Sequence, residues 1–230
     1  MTGVQTCALP ISGDILALRA QPPGVPVVTY VNTTAAVKAV SDVCCTSANV
    51  VQVVESLGAP TVMLLPDRYL AANVAQQTDV EIITWPTGAC EVHERFTGVQ
   101  LRDLRRSFPD GISIVTHPEC PTDVTAEADF VGSTTAMGAW LDTNKPRRVA
   151  LITECSMADN LAVDHPDVEW VKPCNLCPHM KRITLTGIRD ALRDMRHVVE
   201  VDADVIAGAR RALDRMLAVG RGERVTVATK

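Results

Sequence analysis

Residues 172–182, KPCNLCPHMKR, carry two cysteines at CxxC spacing, then a proline, a histidine and a basic pair. Thiolates are soft metal ligands and good nucleophiles. The segment could therefore be half of a zinc site, a thioredoxin-like redox pair, a ligand to another metal, or a buried loop. A thioredoxin-type pair should open a helix after a single strand, and a zinc ribbon should bring a second CxxC knuckle. Neither pattern is supported. What decides between the remaining readings is which cysteines the rest of the chain repeats.

The elements that must position them alternate. Short β-branched runs (PVVTYV, DVCCT, PTVMLLP, VEIITWP) are interleaved with helical patterns (TAAVKAV, SANVVQVVESLG, YLAANVAQQ) and a helix expected through EVHERFTGVQLRDLRRSF. Strands alternating with helices indicate an α/β protein with mainly parallel sheets. A shift of 87 positions, without a gap, lays Val37 on Val124, Asp42 on Asp129, Val62 on Val149, Asn73 on Asn160, Pro86 on Pro173 and Cys90 on Cys177. Similar residues also meet, Ser47 with Thr134, Asp67 with Glu154 and Arg95 with Arg182. These are two copies of one α/β unit.

A third unit shares the pattern in part, because GISIV lands on VVEVD at residues 198–202. The expected fold class is a pseudo-threefold repeat of α/β/α subdomains with short parallel sheets and the first repeat largely missing. The expected divisions are a non-native leader at 1–12, the end of the first unit at 13–27, a second unit at 28–110 and a third at 111–197. Residues 198–230 would be a C-terminal strand and helix that complete the first unit. The leader shows no period, cap or turn logic, so Cys7 is set aside.

Composition narrows the function classes. The chain has 230 residues, 47% of them hydrophobic, enough for a sizeable core. A net charge of −5 and only 3% aromatics leave neither a basic stripe nor a stacking platform for nucleic acid. The longest apolar runs, such as TVMLL, are far shorter than a membrane span. No nucleic-acid or membrane partner is expected, and the compartment expected is the cytosol. Eight cysteines without a secretion signal favour metal ligation or thiol chemistry over a disulfide framework. The copy equivalent to CNLC reads TGAC, so the register keeps Cys90 and Cys177. A third equivalent would bring three thiolates to one axis, a set suited to a [4Fe–4S] cluster with one iron open to substrate.

At YVNTTAAVKA, CTSAN, CEVHERF, THPEC, DFVGSTTAM, TECSMADNLA and PCNLCPHMKRITL the chain resembles the quinolinate synthases, from about residue 13 to its end. The resemblance implies an enzyme of NAD biosynthesis that condenses iminoaspartate with dihydroxyacetone phosphate, releasing phosphate and water. It implies three α/β subdomains around a central [4Fe–4S] cluster, with Cys90 and Cys177 as two ligands and the third absent from this chain. It further implies substrate binding by Tyr30, Val31, Asn32, Ser47, His117, Pro118, Glu119, Ser133 and Thr134, with Tyr30, Glu119 and His93 catalytic. A functional link to the enzyme that produces iminoaspartate is expected.

The residues bear on these roles directly. Tyr30 and Asn32 end the strand VVTYVN, and the register lays them on His117 and Glu119, so four polar side chains should face one cavity at the carboxyl ends of parallel strands. Ser47 and Thr134 each follow a short strand and are expected to open a helix, where a hydroxyl beside free N–H groups can hold an anion. His93 lies about one helical turn after Cys90. Met180 is its register partner, and His179 has a weaker claim. Cys44, Cys45, Cys120, Cys155 and Cys174 match no ligand position. Two other readings remain: an inactive iron–sulfur or small-carboxylate-binding fragment, and a redox dithiol of Cys174 and Cys177.

Overall fold

The computed structural model describes residues 12–19, 24–173 and 175–225, so expectations at Cys7 and Cys174 lie outside the described residues. A helix α1 (Ser12–Arg19) precedes two α/β units of one plan. The first contains β1 (Val27–Tyr30), α2 (Ala35–Ala39), β2 (Val43–Cys45), α3 (Val50–Ser56), β3 (Thr61–Leu65), α4 (Arg68–Ala75), β4 (Glu81–Thr84), a 3₁₀ turn (His93–Arg95) and α5 (Gly98–Ser107). The second contains β5 (Ser113–Thr116), α6 (Thr122–Thr125), β6 (Phe130–Val131), α7 (Thr134–Asn144), β7 (Arg148–Ile152), α8 (Cys155–Asp164), β8 (Glu169–Val171), a 3₁₀ turn (Met180–Arg182) and α9 (Leu185–Asp194). Helix α10 (Ala203–Gly220) follows.

Each unit is an all-parallel four-stranded sheet, ordered β2-β1-β3-β4 in one and β6-β5-β7-β8 in the other. The shift of 87 carries β3 onto β7, the first 3₁₀ turn onto the second and α5 onto α9, end for end. Parallel strands are covered on both faces, which is why the central ones read as unbroken apolar runs. Val28, Val62 and Leu64 pack with Val53, Leu70 and Val74 on one face of the first sheet, and Val27, Met63 and Leu65 pack with Ile15 of α1 and Val37 on the other. In the second sheet Val149 and Leu151 pack with Met137 and Leu141. Its opposite face, Ile114, Ala150 and Ile152, packs with Phe96 and with Leu101 of α5. Helix α5 thus belongs in sequence to the first unit and in packing to the second.

Three local expectations are corrected. The helix expected to run from residue 91 to 108 is broken, because Thr97 is extended and forms a capping box. Its hydroxyl accepts from the Gln100 N–H, and its own N–H donates to Gln100 Oε1. Residues 198–202 form no strand: an isolated run has no ladder to join, and among the described residues no sheet edge pairs with it. The chain instead continues into α10, which lies on α2 and β2 of the first described unit. There Gly208 lets the backbones close, since a Cβ would sit 2.9 Å from the Ala39 backbone. Finally, Ser47 does not open α3, whose N-cap is Asn49, whereas Thr134 does open α7. No helix among the described residues is long and apolar enough to cross a membrane.

Candidate functional site

The carboxyl ends of β1, β5 and β7 present Tyr30, the His117–Glu119 turn and Thr153 to one cavity of about 350 Å³. The cavity is also lined by Asn32, Cys90, His93, Thr134, Cys177, His179 and Met180. The register therefore brings both retained cysteines to one cavity, with the four polar strand-end residues. The CEVH turn delivers His93 beside Cys90, because the Glu94 N–H donates to Cys90 O at 3.0 Å and closes one turn. One ligand atom from each of Cys90, His93 and Glu119 lies within 4.8 Å of the others.

His93 is buried and spends both ring nitrogens, Nδ1 on Glu119 Oε2 at 3.1 Å and Nε2 on Thr153 Oγ1 at 2.9 Å. Burial pushes it down, but the neighbouring Cys90 and Glu119 prevail and raise it to about 10. Burial pushes Glu119 up, but the hydrogen bond from His93 holds it below the usual carboxylate range. His117 stacks on His93 with ring centroids 4.6 Å apart, and burial lowers it to about 4, so it is neutral. Its Nδ1 accepts from the Glu119 N–H at 3.3 Å, which leaves the proton on Nε2, 3.2 Å from Ser47 Oγ. Tyr30 Oη lies 3.5 Å from the same oxygen, and burial, then the charge of Glu119, raise its phenol. The cavity wall holds a charged pair, a neutral donor and a protonated phenol.

Not every expected residue reaches this wall. The Val31 N–H donates to Cys45 O, Pro118 O accepts from Asn73 Nδ2, and Ser133 Oγ caps α7 by accepting from the Ala136 N–H. None of the three is among the lining residues, and neither is Ser47, which lies behind the wall against Tyr30 and His117. Burial raises the thiols of Cys44, Cys45 and Cys120, which are packed in the core.

Sequence reasoning missed Thr153, which orients His93, and Asn73. Asn73 Nδ2 donates to Pro118 O at 2.8 Å and Cys120 O at 2.9 Å, while its Oδ1 accepts from Thr125 Oγ1 at 2.9 Å. It also missed Asp67. This residue is buried beside the site, and burial, then Glu119, push it up to about 7 against the pull of the amides it accepts from. Asn73 and Asp67 were in register pairs and Thr153 opens the motif TECSMADNLA, so a signal existed for each, but none for what it bonds.

The donor set fits a soft-ligand cofactor. Two cysteines from equivalent positions line one cavity, and their lining neighbours His93 and Glu119 are already bonded to each other. A family model described as Quinolinate synthetase A protein matches residues 8–218. Quinolinate synthase 1 of Mesorhizobium japonicum is 61% identical over 206 residues, covering 90% of this chain and 63% of that protein. The quinolinate synthase of Xylella fastidiosa (strain 9a5c) is 59% identical, and that of Agrobacterium fabrum 60%, each over 206 residues and 90% of this chain, covering 60% and 59% of those proteins. The chain thus spans about three-fifths of the length of these relatives.

Proposed function

The chain belongs to the quinolinate synthetase A family, and from that premise we propose that it carries part of a site that condenses iminoaspartate with dihydroxyacetone phosphate to quinolinate, releasing phosphate and water. The observation that supports this most is the meeting of Cys90 and Cys177, equivalent in the repeat, in the cavity of Tyr30, Asn32, His117 and Glu119.

Cys90 and Cys177 would hold a [4Fe–4S] cluster, which when bound supplies an iron open to substrate as a Lewis acid. The protein's own groups do the rest. Glu119, kept ionised by His93, is the acceptor for a proton removed from carbon. The Tyr30 phenol, kept protonated, is a donor, and neutral His117 keeps its Nε2 proton as a hydrogen-bond donor that orients Ser47 beside Tyr30. Thr134, at the first turn of α7, offers a hydroxyl beside free N–H groups for a substrate carboxylate or phosphate. The apolar side of the cavity, including Ala89, Val92 and Met157, keeps water from a labile imine. The enzyme that supplies iminoaspartate is the expected functional partner, and the cytosol the expected compartment.

A second reading is favoured by the ligand count, since among the described residues two cysteines line the cavity: binding of a cluster or a small carboxylate without turnover. Anaerobic reconstitution with iron and sulfide tests the proposal. Iron bound by the chain and lost in both Cys90→Ser and Cys177→Ser supports the ligand assignment, and iron retained by both overturns it. Quinolinate formed from the two substrates supports the enzyme, whereas binding without product supports the second reading. Glu119→Gln should abolish product while leaving substrate affinity within about tenfold, because a lost proton carrier costs rate more than ground-state binding.

A further inference from the structure

We propose that Asp67 and Glu154 are positioning residues for the two cysteine loops, an inference that rests on reading Cys90 and Cys177 as cluster ligands. The two acids are register partners, each at the N-cap of the helix after a central strand, α4 and α8. In each, one carboxylate oxygen caps the helix and the other takes the main-chain amide of the cysteine. Asp67 Oδ1 accepts from the Tyr69 and Leu70 N–H groups at 2.9 and 2.8 Å, and Oδ2 accepts from the Cys90 N–H at 2.8 Å. Glu154 Oε2 accepts from the Ser156 N–H at 2.8 Å, and Oε1 from the Cys177 N–H at 3.4 Å.

A helix cap alone calls for one acceptor, which serine, threonine, asparagine or one oxygen of aspartate supplies. Both repeats use an acid, of different length, and what the two acids share is the second oxygen. A main-chain bond runs alongside in each unit, from the Arg68 N–H to Gly88 O at 2.8 Å and from the Cys155 N–H to Asn175 O at 3.3 Å. The thiol-bearing loop is therefore tied to the start of a rigid helix at two points. The first unit holds its loop more tightly. At Gly88 a Cβ would lie 1.9 Å from Pro66 O, so only glycine permits that approach, and its register partner Asn175 carries a side chain.

Asp67→Asn keeps the shape but turns one acceptor into a donor. The remaining oxygen stays with the helix, where it serves two amides, and the Cys90 amide loses its partner. Amide hydrogen exchange on the chain without iron reads this directly. The Cys90 amide should exchange about tenfold faster in Asp67→Asn, as expected for the loss of one hydrogen bond. Asp67→Glu should restore it, because the second unit uses glutamate for the same task. Glu154→Gln should do the same to the Cys177 amide, and as the more exposed acid it keeps the test alive if Asp67→Asn fails to fold. After anaerobic loading, iron retention should fall in Asp67→Asn and recover in Asp67→Glu.

A Cys90 amide within about twofold of wild type in a folded Asp67→Asn protein would overturn the proposal. So would a loosened amide with undiminished iron retention. If the wild-type chain itself takes up no iron, the missing third ligand accounts for it, and the amide comparison by itself decides whether the acids hold the loops.

Discussion

Helices α5 and α9 occupy equivalent places in the repeat, and both are built by the same local code: a threonine N-cap, Thr97 or Thr184, after a 3₁₀ turn of three residues. Their environments differ. Leu101 is 1% exposed and Phe96 5%, whereas their register partners Ile188 and Ile183 are 47% and 62% exposed. Gly98 fits against the next unit, where a Cβ would lie 2.5 Å from Asp123 O, while its partner Leu185 is exposed. A helix can be specified by its caps and period and still depend on another unit for its burial. Helix α5 has β5, α6 and β7 to cover, while after α9 the described chain turns to α10 and packs elsewhere.

The matched pairs turn this comparison into measurements. Leu101→Ala should cost about 2–5 kcal/mol, the range for a buried leucine, and Ile188→Ala no more than about 0.5 kcal/mol. Urea unfolding of the two variants checks the contrast, and equal losses would mean that the faces are not different in solution. The pair Asn73 and Asn160 comes next. Asn73→Ala strands two buried carbonyls across the interface between the units, costing about 2–3 kcal/mol, while Asn160→Ala at the cavity wall should leave stability unchanged within about 0.5 kcal/mol.

Gly98→Ala should cost about 1–3 kcal/mol, because the added methyl must push on backbone rather than on a flexible side chain. Leu185→Ala, at the same register position, should be close to neutral in the same thermal melts. The smallest effect concerns acid. Arg148 bonds to Asp110 and Glu169 and holds both carboxyls below their usual range. Their folded-state affinity for protons is lower than in the unfolded chain, so they stabilise the fold above the ordinary carboxylate range. That stabilisation fades as pH falls through their folded values. Arg148→Ala should flatten this part of the pH–Tm curve below about pH 4.5, and an unchanged slope would remove the triad from the account.

By itself the sequence determined a great deal here. A shift of 87 positions identifies equivalent residues, and equivalent residues of repeated units must occupy equivalent places. That is why the order of elements, the parallel sheets and the shared cavity of Cys90, Cys177, Tyr30 and Glu119 were legible without coordinates. The register even paired Asp67 with Glu154 and Asn73 with Asn160, although it was silent on what they do. Tertiary structure alone decided the bonds between loops: His93 to Glu119 across 26 residues and to Thr153 across 60, the proton on His117 Nε2, the second oxygen of Asp67 on the Cys90 amide, and the burial of α5 beside the exposure of α9. The reason is physical. Periodicity and caps act over a few residues of one chain segment, whereas a hydrogen bond between segments, or the cover over an apolar face, depends on how two sheets are set against each other, and that arrangement is a property of the packed units together.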